Sequence, residues 1–491
     1  MIHMSLIQER ILNLSFYLDR EADVVEIRRR FRELLGMISA TPDPNYYRKL
    51  LVQLTYYTRD IKCGKGERLI SYHLLYEWYQ FSPELCLFVV HSFLFLPWDK
   101  RGESPYGGWR DLREIAQVFY QLEGDAKHPV IQYCVFAMNA QLKFDLTEDR
   151  PVSNAAKWVP RERPKWQWLF HELAQEWDTT GTNSQTSLYR NYRKVCSQLN
   201  RQIGTSEIDL CENRLPPVET MSRGAIEKYM TKYPELAIGL ATRSYSNRFY
   251  GFRYEPRAFM KWSKILPPET VNSLWEATIR QQKYVYGSFG HILPIVDTHL
   301  FMTQHTGAPL QTALGLALGI AESSELGKRI MMMGHNPAWV RVPDKDSFSS
   351  VVERISQCAA DNTTHSLEKC IRLLIQSFRM SQMTDAELEK TCLVLLSDMH
   401  FPKMEDTLHD YVLSIFSENG VPIEMVPHIV YWGVHVHEQS LVPCKPTHIR
   451  TTLLSGTNST GFAWLQNLAS SRNSTAYDRL VDRLHTPRYF F

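Results

Sequence analysis

The stretch HILPIVDTHLFM, residues 291–302, decides how the second half of the chain folds. Apolar residues run from Ile292 to Val296, interrupted only by Pro294, and the run ends on Asp297. A short apolar run bounded in this way is typical of a buried β-strand. Ligands of parallel sheets bind beyond the carboxyl ends of the strands, so an acid at this position is a candidate functional residue.

Strand and helix patterns alternate from this stretch to the end of the chain. Further apolar runs occur in KRIMMM, TCLVLL, PHIVYW and HIRTTLL, and amphipathic patterns such as SLEKCIRLLIQSF separate them. This alternation predicts a mostly parallel sheet with helices on both faces. Asp398, in LLSDMHF, follows another predicted strand, so we expect it at the same sheet edge as Asp297.

Helical periodicity dominates the first half of the chain. Apolar residues recur three and four positions apart in YYRKLLVQLTYYTRDI, GERLISYHLLYEWYQ and WRDLREIAQVFYQL, with short polar or Gly-rich breaks between them. Short helices paired through short turns favour a HEAT-like array. We therefore predict an all-α HEAT-like domain over residues 1–287 and a mostly parallel, Rossmann-like α/β domain over residues 288–491.

Composition and bulk charge give no sign of a particular partner, although a local basic patch remains possible. The chain has 491 residues, of which 44% are hydrophobic and 22% charged, and a formal net charge of only +2, so bulk charge indicates no nucleic-acid or membrane partner. Its most apolar run, residues 85–98, is too short to span a bilayer. The nine cysteines are scattered and form no C-x-x-C pair, which favours reduced thiols and a cytoplasmic location.

Ten short motifs follow one another along the chain. They are CGKGER, YGGWRDL, AAKWVP and YRK in the first half, and APLQTALGLALGIAE, GHNP, NTTHS, LLSDMHF, PHIVYWGV and LLSGTNS in the second. Their order resembles that of the Ro ribonucleoprotein autoantigens and their relatives, and most strongly that of an uncharacterised Ro-like family found in large DNA viruses, plants, fungi and some bacteria. The resemblance implies a TROVE-type helical domain followed by a von Willebrand factor A domain.

The resemblance implies a metal-ion-dependent adhesion site, which this sequence alters. The family loop has the form Asp-x-Ser-x-Ser, and a second loop supplies a Thr and a third an Asp. Asp297, Thr363 and Asp398 match the Asp, the Thr and the second Asp, whereas His299 and Phe301 stand where the two serines should be. Mg²⁺ requires oxygen ligands, and an imidazole suits zinc better.

Two interpretations of this degenerate loop remain open. In the first, Asp297, Thr363, Asp398 and His299 form a weakened site for Mg²⁺ or another divalent cation. In the second, the site is lost, and the Asp residues cap helix N-termini and accept hydrogen bonds from loop amides. We favour the second interpretation, and we expect neither a cofactor nor a small-molecule substrate.

A basic, aromatic segment at residues 155–202 is the candidate RNA-binding surface. It holds eight cations and only four acids, with four tryptophans between them. Cations for phosphates and aromatic rings for bases are what binding of single-stranded RNA requires. In the alternative, the tryptophans anchor a core and the cations form a solvated face. The candidate residues are Lys157, Arg161, Arg163, Lys165, Trp166, Arg190, Arg193, Lys194 and Arg201.

Catalytic motifs are weak throughout the sequence. No G-x-S-x-G occurs, and the alternating His435 and His437 are predicted only to share one strand face. We therefore expect a non-enzymatic, Ro-like binding or scaffold protein that binds RNA through its helical domain. The alternative is a structural or protein-interaction component of a large DNA virus, located in the virion or the host cytoplasm.

Overall fold

The computed structural model describes residues 4–95, 105–149, 151–178, 184–218, 221, 223–230, 232–233, 235–236, 255–342, 346–360, 366–402, 405–466, 468 and 473–490. Within them, a helical N-terminal region precedes a six-stranded, mostly parallel sheet in the C-terminal region. The predicted fold class is therefore confirmed.

Helices occupy most of the described chain. The α-helices are α1 Met4–Tyr17, α2 Val24–Ser39, α3 Pro44–Arg59, α4 Arg68–Phe81, α5 Pro83–Leu94, α6 Trp109–Glu123, α7 Pro129–Thr147, α8 Ala155–Trp158, α9 Gln167–Trp177, α10 Gln185–Ile203, α11 Ser206–Cys211, α12 Arg223–Tyr229, α13 Pro256–Trp262, α14 Pro268–Tyr286, α15 Gln304–Glu322, α16 Phe348–Ala360, α17 Leu367–Met380, α18 Asp385–Lys390, α19 Leu408–Glu418 and α20 Ala476–Leu484. Short 3₁₀ helices lie at Leu300–Thr303, Ile423–Met425, Ser459–Trp464 and Pro487–Tyr489. Every helix among the described residues is too short or too polar to cross a bilayer.

The sheet has the strand order β3-β2-β1-β4-β5-β6. Its strands are β1 Ile292–Asp297, β2 Arg329–Met333, β3 Ala338–Arg341, β4 Cys392–Ser397, β5 His428–Gly433 and β6 Thr451–Ser455. All neighbouring strands pair in parallel except β2 and β3, which are antiparallel. β1 and β4 lie at the centre, with Ile295 opposite Leu395 in register. The carboxyl ends of β1 and β4, where Asp297 and Asp398 lie, are therefore neighbours.

Burial explains why five strands could be predicted and one could not. Every residue of β1, β4 and β5 is buried, as expected for parallel strands covered on both faces. β3 is a four-residue edge strand in which only Val340 is buried. Its sequence therefore carries no apolar run, and the sequence patterns above do not predict it.

Ser and Thr caps begin the helices that cover this sheet. Ser366 accepts a hydrogen bond from the backbone N–H of Lys369 at the start of α17. Thr407 and Thr475 form capping boxes with Asp410 and Asp478 at the starts of α19 and α20. Each box satisfies backbone N–H groups that lack an intrahelical partner, so it fixes where the loop ends and the helix begins.

The chain forms two compact units in space. The sheet unit combines Met1–Ile70 with Met230–Phe490, and the helical unit is Ser71–Tyr229. These units divide the chain at other positions than the predicted boundary between residues 287 and 288, because the first helices pack with the sheet. The domain boundary at 287/288 stays a prediction, since one compact unit can combine parts of two domains.

The Lys65 side chain joins the N-terminal helices to the end of the sheet. Its ammonium group is buried and donates to the carbonyls of Ser15 and Leu18 and, at 2.5 Å, to the hydroxyl of Ser455, the last residue of β6. Three donors therefore meet three acceptors, which is the condition for burying an ammonium group. The carbonyl oxygen of Lys65 accepts from Asn458 Nδ2 at 3.0 Å.

Gly64, next to Lys65, allows the loop to pass close to the backbone of α3. A Cβ at Gly64 would lie 2.0 Å from the carbonyl oxygen of Tyr57, so only glycine fits between α3 and the loop. The Gly64 carbonyl accepts from the hydroxyl of Thr460 at 2.8 Å. The KCGKGE segment is thus a turn that holds two parts of the sheet unit together.

A buried ion pair also joins the end of α3 to the C-terminal segment of the chain. Asp60 is fully buried, and its carboxylate accepts from the Arg488 guanidinium at 2.5 and 2.9 Å and from the Tyr489 hydroxyl at 3.0 Å. The Asp60 carboxylate helps to raise the pKa of Arg488 above its ordinary value, against the opposing effect of burial. The pair is bidentate, which is the strongest geometry for such a contact.

Breaking this pair from one side should destabilise the sheet unit. Arg488→Met leaves the Asp60 carboxylate buried and uncompensated, so we expect the free energy of unfolding to fall by about 3–5 kcal/mol. Urea denaturation followed by circular dichroism measures the change. As the matched control, Arg372→Met removes exposed ion pairs with Glu368 and Glu418 and should leave the free energy of unfolding almost unchanged. Equal losses in the two variants would contradict the structural role of Asp60.

Two buried histidines make the sheet unit sensitive to acid. Burial lowers the pKa of His409 to about 3, and burial holds the pKa of His428 well below its ordinary value. Both rings are hydrogen-bonded, His409 to the Tyr431 hydroxyl at 3.1 Å and His428 to the Thr452 hydroxyl at 2.9 Å. Their folded-state pKa values lie below the unfolded value near 6.5, so the unfolded chain binds more protons as the pH falls.

The free energy of unfolding should therefore decrease as the pH falls below ~6.5, by about 1.4 kcal/mol per pH unit for each of these histidines. The loss continues down to the folded-state pKa of each ring. Denaturant midpoints between pH 7.5 and 4.5 measure it, and the double variant His409→Gln with His428→Gln should flatten the slope. His335→Gln, at an exposed position, should leave the slope unchanged. An unaltered slope in the double variant would show that these imidazoles do not govern the acid sensitivity.

Candidate functional site

The candidate metal loop lies at the carboxyl edge of the sheet, as predicted. Asp297 is the last residue of β1, and Asp398 directly follows β4, the neighbouring strand. Both side chains are buried, at 0% and 2% exposure. Thr363, the third predicted oxygen ligand, lies outside the described residues.

Both carboxylates accept hydrogen bonds from their own loops. Asp297 Oδ1 accepts from the backbone N–H of His299 at 2.9 Å, and Asp398 Oδ1 accepts from that of His400 at 3.0 Å. These are Asx-type contacts, which shape a loop two residues beyond the acid. They agree with the interpretation that the acids now hold loop amides.

Ser397 connects the two central strands, and the motif comparison did not single it out. Its hydroxyl donates to Asp297 Oδ2 at 2.7 Å and accepts from the backbone N–H of Met399 at 2.9 Å. Met399 has a positive φ of 59°, so the loop after β4 turns sharply at this point. The only signal in the sequence was the position of Ser397, between a predicted strand and Asp398.

The residues at the two serine positions do not fit a magnesium ion. The Phe301 ring offers no oxygen and packs against the His400 ring, with centroids 4.3 Å apart. His299 offers a nitrogen, and its ring lies 5.2 Å from that of Phe301. Mg²⁺ needs near-octahedral oxygen ligands. Among the residues that the structure describes, no group of three His, Cys, Asp or Glu side chains has the spacing of a metal site.

His435 and His437 lie beyond β5, which ends at Gly433, so the prediction that they share a strand face is wrong. Their ring centroids are 5.8 Å apart, and the His400 ring lies 6.0 Å from that of His437. His437 Nδ1 accepts from the backbone N–H of Gln439 at 3.2 Å, so the neutral ring carries its proton on Nε2. A protonated Nε2 cannot bind a metal, which argues against a zinc site here.

The candidate RNA-binding cations gather on one face of α10 in the helical unit. This helix contains Arg190, Arg193, Lys194 and Arg201 and no acidic residue. At 100° per residue, these four side chains fall on one side of the helix, opposite the buried Tyr192 and Leu199. All four cations are exposed, so the spacing produces a continuous basic stripe.

Ion pairs neutralise two of the predicted cations. Arg193 pairs with Glu162, and Lys157 Nζ lies 3.2 Å from a Glu207 carboxylate oxygen. Arg161, Arg163, Arg190, Lys194 and Arg201 make no ion pair with any other described residue. These five are therefore the cations best placed to contact phosphates.

Trp158 and Trp166 stack with cations from a different helix. The Arg113 guanidinium lies 4.8 Å from the Trp166 ring centroid and 5.5 Å from that of Trp158, and Arg110 lies 5.5 Å from Trp158. Lys165 lies 5.1 Å from the Trp166 ring. Arg110 and Arg113, three residues apart on α6, were missed because they precede the basic segment by some 45 residues.

The other two tryptophans support the core interpretation. Trp168 stacks on Tyr120 with centroids 4.0 Å apart, and Trp177 packs at 5.6 Å from the buried Tyr192. Both are partly buried by these contacts. The four tryptophans thus divide into two that anchor the helical unit and two, Trp158 and Trp166, that belong to a cation–aromatic cluster.

Comparisons with known proteins find a match within the C-terminal region and a relative that covers most of the chain. Residues 293–466 match the model of a domain of unknown function, DUF7788. The chain is 21% identical over 458 residues to an uncharacterised protein, L728, of Acanthamoeba polyphaga mimivirus, covering 84% of this chain and 75% of that protein.

The chain is also similar to a solved structure of a Ro protein. The crystal structure of the Deinococcus radiodurans Ro (RSR) protein aligns with 96% of this chain and 99% of its own, at a TM-score of 0.37 and 11% identity. The assignment to TROVE and von Willebrand factor A domains, and the range of organisms, stay predictions.

Magnesium should not bind at the Asp297–Asp398 loop. Asp297 and Asp398 accept hydrogen bonds from loop amides, and Phe301, at a predicted ligand position, has no oxygen to offer, so we expect no saturable heat at micromolar Mg²⁺, Mn²⁺ or Zn²⁺ in isothermal titration. Micromolar binding that disappears in Asp297→Ala but persists in the exposed control Asp385→Ala would overturn this view.

Proposed function

We propose that this protein is a non-enzymatic, Ro-like scaffold that binds RNA through its helical unit. The observation that carries the proposal is the exposed basic stripe on α10, with Arg190, Lys194 and Arg201 on one side of a helix that holds no acid. A row of cations at helical spacing neutralises successive phosphates and supplies most of the sequence-independent affinity for a nucleic acid.

A cluster of aromatic side chains is the second observation that supports RNA binding. Trp158 and Trp166 lie beside Arg110, Arg113 and Lys165 in one cation–aromatic cluster, in which both arginines also pair with Glu114. Unpaired bases stack on such rings irrespective of sequence, and each stacked base contributes about 1–3 kcal/mol. We therefore propose single-stranded segments of RNA, with little sequence preference, as the partner.

An electrophoretic shift assay with single-stranded and hairpin RNA over a salt series tests this function. Binding to single strands should fall with salt. The triple variant Arg190→Gln, Lys194→Gln, Arg201→Gln should weaken binding roughly 10- to 100-fold at 0.1 M salt, because three phosphate contacts are lost. It should also lower the slope of log K against log salt by about two.

The matched control replaces three exposed lysines of the sheet unit, Lys261, Lys264 and Lys390, with Gln. This control loses the same charge, so it should bind like the unmodified protein. Absence of binding to either RNA at low salt would remove the RNA proposal and favour the alternative, a structural or protein-interaction role. Equal weakening in both triple variants would mean that only net charge matters.

A further inference from the structure

A cavity of about 430 Å³ opens at the carboxyl edge of the sheet, beside the altered metal loop. Its walls come from four loops of the sheet unit: the segment between α1 and α2, and the loops that follow β1, β4 and β5. Parallel α/β sheets bind ligands at this edge. The lining residues are Glu21, Asp23, Phe301, Gln304, Asp398, His400, His435, His437, Glu438 and Gln439.

Apart from three histidines, the titratable side chains on this lining are carboxylic acids. Glu21, Asp23, Asp398 and Glu438 contribute carboxylates, and no Lys or Arg from the described residues lines the cavity. A low-dielectric concavity lined by one sign of charge focuses its field and favours a counter-ion. It should repel a phosphate or a carboxylate group.

Two of these acids, Asp23 and Glu438, lie next to each other. Their side chains are hydrogen-bonded, and this contact raises the pKa of Glu438 above its ordinary value. Glu26 adds to the negative field and Arg30 opposes it, although Arg30 is itself paired with Glu26 at 2.7 Å. A cation placed in the cavity would remove the repulsion between the two carboxylates.

The cavity is held open by contacts that do not involve a ligand. Asp398 is 98% buried on the floor of the cavity, where its backbone carbonyl accepts from the Ser440 hydroxyl at 2.7 Å. The Ser440 carbonyl in turn accepts from the Tyr17 hydroxyl at 2.8 Å, which ties the α1 segment to the loop after β5. The walls are therefore preorganised, which reduces the entropic cost of binding.

One wall is aromatic as well as acidic. Phe301 is 37% exposed and lines the cavity next to His400. A guanidinium or ammonium group is attracted to the face of an aromatic ring, and more strongly in a partly desolvated site. The residue that removes the magnesium ligand therefore adds a surface suited to an organic cation.

We propose that this cavity binds the cationic side chain, arginine or lysine, of a basic peptide segment on a partner protein. Glu21, Asp23 and Glu438 pair with the charge at the rim, Asp398 supplies negative potential from the floor, and Phe301 contacts the planar face. The proposal does not rest on RNA binding by the helical unit.

Isothermal titration at pH 7.5 and low salt tests the proposal, with an acetylated and amidated Gly-Arg-Gly peptide as the probe. The matched peptide with citrulline keeps the size and hydrogen bonds of arginine but removes its charge. We expect saturable binding of the arginine peptide and at least tenfold weaker binding of the citrulline peptide. The triple variant Glu21→Gln, Asp23→Asn, Glu438→Gln should weaken arginine binding about tenfold or more.

Controls separate a local effect from net charge and from misfolding. Glu9→Gln, Glu353→Gln, Glu405→Gln removes three exposed carboxylates of the same unit away from the cavity lining and should leave binding unchanged. Asn at position 23 still caps α2, so the triple variant should fold, and its circular dichroism and melting temperature verify this. Phe301→Ala, a second test, should weaken binding several-fold.

Three outcomes would overturn the proposal. They are no saturable binding of the arginine peptide at millimolar concentration, equal binding of the citrulline peptide, and an undiminished affinity in the folded triple variant of the cavity acids.

Discussion

The sheet depends at its centre on one buried carboxylate, that of Asp297. It is fully buried at the end of β1, and it accepts from the His299 amide on its own loop and from the Ser397 hydroxyl at the end of β4. A buried carboxylate is tolerated only when its oxygens are satisfied. These contacts join the two central strands at the edge where the loops emerge, which gives Asp297 a structural role in the sheet.

The fold could be predicted from the sequence where burial is complete and local. β1, β4 and β5 are buried along their whole length and appear as apolar runs, and their alternation with amphipathic helices indicates a parallel sheet. β3 could not be predicted, because an edge strand with one buried residue has no such run. The packing of the first 70 residues onto the sheet could not be predicted from the sequence either. It depends on contacts such as Asp60 with Arg488, which are 428 residues apart.

The candidate sites show the same division between local pattern and tertiary contact. The basic face of α10 follows from helical spacing alone, so its residues could be named from the sequence. Arg110 and Arg113 could not, because they meet the tryptophans only through packing within the helical unit. The acid-lined cavity could not be predicted from the sequence either, because its carboxylates come from segments far apart in the chain, near residues 21, 398 and 438. The two units thus carry surfaces of opposite charge, one suited to phosphates and the other to cations.

The central claim is that Asp297 and Asp398 now serve as hydrogen-bond acceptors for the loops and not as cation ligands. A crystal structure of the protein soaked in manganese, with anomalous scattering recorded near the manganese edge, tests this claim most directly. We expect no anomalous peak within coordination distance of either carboxylate, and an unchanged contact between Asp297 and Ser397. A peak bound by both aspartates, with waters completing an octahedron, would contradict the account.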